Sequence, residues 1–352
     1  MRLAYHQPAE FMGHSTPVDI VYLWVDGNDP SWRRKRHIAK EKLTVKHSNA
    51  MAVYGNVEGR FRDNDELRYS LRALELFFPA HGHIYVVTDA QTPAWLQAHA
   101  KITIIDHRDL IPDASLPTFD SGHIESYIHR IPQLSERYFY FNDDIFFGAP
   151  VDLKNWFLED GIYVTWSDDP PISNEPLRQD ATALENACRL SNQWLSVGGR
   201  APNGASHANT FRTFAHSPRP MLKSVMFELE RLAPDLFEMV RSTVFRTWDK
   251  PPIISDFVQR WSLLNGLAKA REYAHLHIST GDAHESCGFD VLMTSLGKID
   301  FFCINDTTDD AQADDPRLNR VHESLERMFA KPSPFEGQAH TAEVPKTQLS
   351  AN

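Results

Sequence analysis

Apolar runs rich in β-branched and aromatic side chains alternate with amphipathic stretches along the first part of the chain. Residues 18–25 read as a buried strand, and Asp26-Gly27-Asn28-Asp29-Pro30 stops it with turn chemistry. Ser31 to about Leu43 is a basic, solvated helical stretch. A second helix starts near Asn64. There Asp63, Asn64, Asp65 and Glu66 supply a cap and first-turn acids, and Leu67, Leu71, Leu74 and Phe78 recur at helical spacing. His83 to Thr88 is a second strand, a helix starts at Pro93-Ala94-Trp95-Leu96, and Ile102 to Asp106 is a third strand. Ser121 to about Ile131 reads as a helix leading into a strand at 138–142. Strands separated by helical patterns predict an α/β fold: a mixed, mostly parallel sheet flanked by helices.

Beyond residue 150 the pattern loosens. Pro170-Pro171 and residues 198–204 are loops, Pro220–Val240 and Ile254–Ala270 are helices, and Phe301–Ile304 is a strand running into Asn305-Asp306. The expected organisation is an extension over 1–17 and a single folded domain over 18–330. Within it a sheet core covers about 18–165, a helical C-terminal part about 170–280, and a closing strand and helix about 298–330. Residues 331–352, with three prolines and few apolar side chains, are expected to be a disordered tail.

The 352 residues are 42% hydrophobic and 24% charged, a soluble globular composition. A net charge of -11 repels nucleic acid, so a polyanionic ligand must be held by a local cluster of cations or a metal. Cys188, Cys287 and Cys303 are scattered and odd in number, which argues for a reducing compartment. With no signal-like apolar core near Met1 and no run of about 20 apolar residues, the expectation is a cytoplasmic protein without a transmembrane segment. Peripheral docking onto a membrane complex is compatible with this reading.

In Phe139-Tyr140-Phe141-Asn142-Asp143-Asp144-Ile145-Phe146-Phe147 two adjacent carboxylates interrupt an aromatic run. Ionised carboxylates in such a setting need a cation, a metal or hydrogen-bond donors. Asp19 or Asp26, Asp89, Asp106 and Asp306 also lie at or near strand ends, where α/β sheets collect ligands. Carboxylates on one sheet edge suit Mg²⁺ or Mn²⁺ holding a phosphate. Helix capping and local turns are the plain alternative.

Four segments carry a resemblance to a known family. Residues 19–27 (Asp-Ile-Val-Tyr-Leu-Trp-Val-Asp-Gly) resemble the first conserved region of the Stealth proteins. The second region resembles residues 60–72 together with Leu116–Phe119, Ile124-Glu125-Ser126, His129-Arg130-Ile131 and Phe141–Asp144. Ala215-His216-Ser217-Pro218 with Phe245-Arg246 resembles the third, and Cys303-Ile304-Asn305-Asp306 the fourth. The resemblance implies a fold like the GT-A glycosyltransferases. It also implies an enzyme moving sugar-1-phosphate from a nucleotide sugar onto a glycan hydroxyl in capsule or exopolysaccharide synthesis, with release of a nucleoside monophosphate. A metal-dependent GT-A glycosyltransferase releasing a diphosphate, and a silent carbohydrate- or nucleotide-binding module in a capsule-assembly complex, are the rival readings; peripheral association with such a complex is the expected partner besides donor and acceptor.

On the matching positions, Asp19, His216 and Arg246 are expected to be catalytic, with Asp19 or His216 activating the acceptor and Arg246 gripping phosphate. Trp24, Asp26, Asn64, Glu66, Arg68 and Arg130 are expected to bind the donor, although Asn64 and Glu66 equally suit a helix cap. Arg130 would reach phosphate or pair with Asp144. Asp143, Asp144, Asn305 and Asp306 are the expected ligands for Mg²⁺ or Mn²⁺. The segment around His123 departs from the family pattern, and the long insertions of the animal relatives are missing.

Overall fold

The computed structural model describes residues 17–43, 50–52, 55–196, 211–282, 285–312 and 314–337. The loop expected at 198–204, most of the 1–17 extension, and the tail from 338 onward lie outside the described residues.

The strands, in chain order, are β1 (Asp19–Leu23), β2 (Ile84–Thr88), β3 (Ile102–Asp106), β4 (Arg137–Asn142), β5 (Ile145–Phe147), β6 (Phe157–Leu158), β7 (Gly161–Val164), β8 (Arg219–Leu222), β9 (Ala268–Ala270), β10 (His275–Ser279) and β11 (Phe301–Asn305). The main sheet has the order β3-β2-β1-β4-β8, parallel throughout except for β8, which pairs antiparallel with β4. This is the expected α/β class with a mixed, mostly parallel sheet. β1 and β2 are buried at every position, which is why they read as continuous apolar runs rather than alternating ones.

Alternate residues of the central strands feed two cores. Val21, Leu23, Tyr85, Val87, Tyr138 and Tyr140 pack on the helices Lys223–Leu232 and Pro234–Val240 and on the segment 253–261. Ile20, Tyr22, Ile84, Val86, Phe139 and Phe141 face the helix Glu66–Phe77 through Leu67, Leu71 and Leu74. Each of those leucines is essentially fully buried, worth roughly 1.5–3 kcal/mol relative to exposure. The opposite face of the same helix, with Tyr69 and Ala73, packs against a second sheet of order β10-β11-β5. The helix is thus wedged between two sheets, and Glu66 at its start is fixed at their junction.

The chain crosses from the first sheet to the second at Asp143-Asp144, because β4 ends at Asn142 and β5 pairs antiparallel with β11. β4 thus ends where the expected 138–142 strand ends, and the acidic pair separates it from β5. Parallel register sets Leu23 opposite Asn142 and Asp19 opposite Tyr138. Asp19 consequently lies at the far edge of the sheet from the acidic turn.

Several expected elements differ. Pro93–Leu96 forms a turn rather than a helix start. The expected Ser121–Ile131 helix is a short helix, Ser121–Glu125, followed by a 3-10 turn at Ile128–Arg130. The expected 220–240 helix is strand β8 followed by two helices, the second opened by Pro234, which cannot continue the first. The expected 254–270 helix becomes a π-type turn over Ile253–Phe257, a helix over Val258–Leu264, and β9. Gly266 ends that helix at φ +72, a left-handed conformation in which a side chain would be strained. Residues 331–337, expected to be tail, pack on the body: Phe335 is fully buried and Glu336 accepts from Arg68 and Arg72. No helix among the described residues is long and apolar enough to cross a membrane.

Candidate active site

The carboxyl ends of β1, β4 and β11, the start of the Glu66–Phe77 helix and the loop carrying His216 enclose a cavity of about 410 Å³. Its lining includes Trp24, Glu66, Asp143, Asp144, His216, Arg246, Asn305 and Asp306, so residues scattered over 280 positions of sequence meet at one place.

Asp144 sits at the centre. His216 Nε2 lies 3.1 Å from Asp144 Oδ1, and the Cys303 thiol donates to Oδ2 at 3.4 Å. The Asn142 side-chain amide is 3.2 Å from the same His216 nitrogen. Burial pushes the Asp144 carboxyl up, but His216 and the Cys303 thiol hold it below the usual carboxylate range. Asp143 is the opposite case: burial, then Asp144, Glu66 and Asp63, push its carboxyl well above that range. Burial and Asp63 bring Glu66 up to about 8, and burial and Asp65 bring Asp63 up to about 7. Burial and Asp144 likewise push the Cys303 thiol well above its ordinary value.

Two arginines, Arg60 and Arg246, line the same cavity as these acids. Arg246 donates to Ser121 Oγ at 2.6 Å, and its Nε lies 3.9 Å from Asp120. Arg60 is beside it; burial and the Arg246 guanidinium lower the Arg60 pKa to about 9. Two guanidiniums lining one cavity suit a multiply charged anion.

The donor chemistry around Asp143 fits a divalent cation. Asp143 and Asp144, with the Asn305 amide oxygen at the end of β11, offer oxygen donors of the kind hard ions prefer. The crowding that raises Asp143 and Glu66 is the crowding a bound cation would relieve.

Asp306 departs from its expected role. Its Oδ2 accepts from Arg62, and its Oδ1 accepts from the Thr308 amide at 2.9 Å and from the Thr308 and Thr280 hydroxyls at 2.7 and 3.2 Å. With both oxygens engaged, it anchors the loop after β11 rather than presenting a free ligand. Gly59 permits this corner: a Cβ there would sit 2.6 Å from the Thr308 carbonyl oxygen.

Other expected site residues lie elsewhere. Asp19 is buried at the start of β1 and accepts from the backbone amides of His83 at 2.7 Å and Ser135 at 2.8 Å. Asp26 closes its own turn by accepting from the Asn28 amide. Asn64 donates its backbone and side-chain N–H groups to Glu66, orienting that carboxyl from behind. Arg68 pairs with Glu336 at 2.6 Å, and Arg130 pairs with Glu230 rather than Asp144. His123, where the sequence departs from the family pattern, is fully buried and bonded through Nδ1 to the Thr243 carbonyl. Arg60, Arg62, Asp63 and Cys303 stand inside the quoted motifs, yet the sequence assigns none of them a role in the site. Their signal was the motif itself, and the cross-strand contacts that give them roles are not visible in one dimension.

The cavity thus combines paired carboxylates, an imidazole and two arginines at the carboxyl edge of an α/β sheet, an arrangement for polarising and transferring a charged group. Comparison with known proteins names the lineage. Residues 16–44 match Stealth protein conserved region 1, residues 60–165 conserved region 2, and residues 297–346 conserved region 4. The chain belongs to the Stealth family. It is similar to an exopolysaccharide phosphotransferase of Streptomyces coelicolor, 33% identical over 93% of this chain and 53% of that one. The exopolysaccharide phosphotransferase CpsY of Mycobacterium leprae is 33% identical over 91% of this chain and 57% of its own length. The chain therefore spans about half the length of these curated relatives. Among solved structures, galactosyltransferase LgtC with donor and acceptor sugar analogs aligns at a TM-score of 0.42 and 10% identity, covering 90% of this chain and 98% of that one.

Proposed function

We propose that the protein transfers sugar-1-phosphate from a nucleotide sugar to a hydroxyl of a glycan acceptor, forming a phosphodiester and releasing a nucleoside monophosphate. The observation that carries this reading is that Arg60 and Arg246 line one cavity together with Asp143, Asp144 and His216. The phosphotransferase names of the relatives support the same reaction class.

In this reading Arg246 and Arg60 grip oxygens of the donor pyrophosphate, the bond to be broken. Asp144 accepts the His216 Nε2 proton, which orients the ring and leaves Nδ1 to take the proton of the acceptor hydroxyl. The acceptor oxygen then bonds to the sugar-linked phosphorus, and the nucleoside monophosphate departs with the bridging oxygen. Asp143, Asp144 and Asn305 would hold Mg²⁺ or Mn²⁺, which when bound supplies charge neutralisation at the phosphates. Trp24 and Glu66 complete the donor wall.

The test is a panel of UDP- and GDP-linked hexoses and N-acetylhexosamines with capsule-type oligosaccharides, analysing the released nucleotide. Monophosphate release that requires acceptor, and that falls in His216→Ala even at saturating donor and in Arg246→Ala at limiting donor, supports the proposal. Diphosphate release would replace it with glycosyl transfer, and binding without turnover would replace it with a non-catalytic module.

A further inference from the structure

Asp144, His216 and Cys303 offer three donor atoms of three different kinds, all within 4.8 Å of one another. The carboxylate–imidazole and carboxylate–thiol separations, 3.1 and 3.4 Å, are those of neighbouring corners of a small coordination polyhedron. The cross-strand pairing of Ile145 with Cys303 brings the thiol of β11 directly behind the acidic turn. A hard ion such as Mg²⁺ has no use for sulfur or imidazole and is served by the oxygen donors of Asp143, Asp144 and Asn305. A thiophilic ion of the Zn²⁺ or Co²⁺ class prefers the other set.

We propose that Asp144, His216 and Cys303 form an inhibitory site for a thiophilic divalent ion, distinct in donor set from the site that holds Mg²⁺ or Mn²⁺. The ion enters through the cavity between Asp144 and His216, and solvent supplies its fourth position. Binding takes the Cys303 proton to solvent and shifts the His216 proton from Nε2 to Nδ1. The nitrogen that accepts the hydroxyl proton is thereby blocked, and Asp144 is withdrawn from the catalytic ion. The inhibitory consequence rests on the proposed function; the binding itself does not.

Cys287 is exposed and would bind cobalt on its own, so the measurement uses a Cys287→Ser background. Co²⁺ is titrated into that protein in the presence of excess Mg²⁺, and sulfur-to-cobalt charge-transfer absorption is recorded. One equivalent of Co²⁺ is expected to produce the absorption, and adding Cys303→Ala is expected to abolish it. Zn²⁺ is expected to inhibit transfer, with the inhibition constant rising at least about tenfold in Cys303→Ala. Cys303→Ser, which keeps the size and a donor to Asp144, serves if the alanine variant fails to match the parent in near-UV circular dichroism. No charge-transfer absorption in the folded parent, or absorption unchanged without the Cys303 sulfur, overturns the site. Absorption that depends on Cys303, without detectable sugar-phosphate transfer, upholds the site and rejects the proposed activity instead.

Discussion

Replacing Asp19 with asparagine separates a structural role from a chemical one. The carboxylate receives the backbone amides of His83 and Ser135, joining the start of β1 to the segments that precede β2 and β4. An amide–carboxylate hydrogen bond contributes about 1.5–3 kcal/mol, because the acceptor is charged. Asparagine retains one acceptor oxygen and turns an N–H group toward the other buried amide, so the expected loss is about 3 kcal/mol. With 352 residues the unfolding entropy is about 0.7 kcal/mol/K, so Tm falls by about 4 °C. Differential scanning calorimetry reads the shift, and nucleotide release measured well below Tm reads the chemistry. The expected variant is less stable but turns over at close to the parent rate. A variant with unchanged Tm and abolished turnover would refute the structural assignment and return Asp19 to the reaction.

Four further variants have expected outcomes of the same kind. In the proposed reaction Arg246→Ala takes away a charged phosphate contact and should raise the donor KM about tenfold to hundredfold, whereas His216→Ala should lower kcat by about 10²–10⁴ with little change in KM; steady-state kinetics giving the reverse split contradicts the proposed roles. Glu336 accepts from Arg68 and Arg72 and, despite its burial, these arginines and the Ser333 amide bring its pKa down to about 2. A depressed carboxyl stabilises the fold above its unfolded pKa and loses that contribution as pH falls through the folded value. The gap in denaturation free energy between the parent and Glu336→Gln should therefore shrink by about 3 kcal/mol from pH 5 to pH 2, and a pH-independent gap would contradict it. Gly59→Ala forces a Cβ to within 2.7 Å of the Asp306 carbonyl and carboxylate oxygens, so urea denaturation should show a loss of about 1–3 kcal/mol; parent-like stability would remove Gly59 from the account.

The strands of the main sheet were legible where burial on both faces leaves an uninterrupted apolar run, as in β1, β2 and β4. The short strands were not. Ala268-Lys269-Ala270 has helix-forming residues and becomes β9 only because β7 lies beside it. Pro220-Met221-Leu222 reads as a helix start and is instead an antiparallel edge on β4. The second motif brought Glu66 and the acidic pair into view, and its Arg60 was present but unassigned. The family resemblance puts Asp19 among the catalytic residues, and only the register against β4 shows that it stands at the opposite end of β1 from Asp143. Cys303 was counted as a scattered thiol for the same reason, since its neighbour Asp144 is 159 positions away.

In the proposed reaction phosphorus travels with the sugar. A donor carrying a radiolabel only in its sugar-linked phosphate, incubated with acceptor and a divalent ion, tests it in one step. The account predicts label in the glycan product and unlabelled nucleoside monophosphate. Label leaving as nucleoside diphosphate, with sugar but no phosphorus on the glycan, would contradict it.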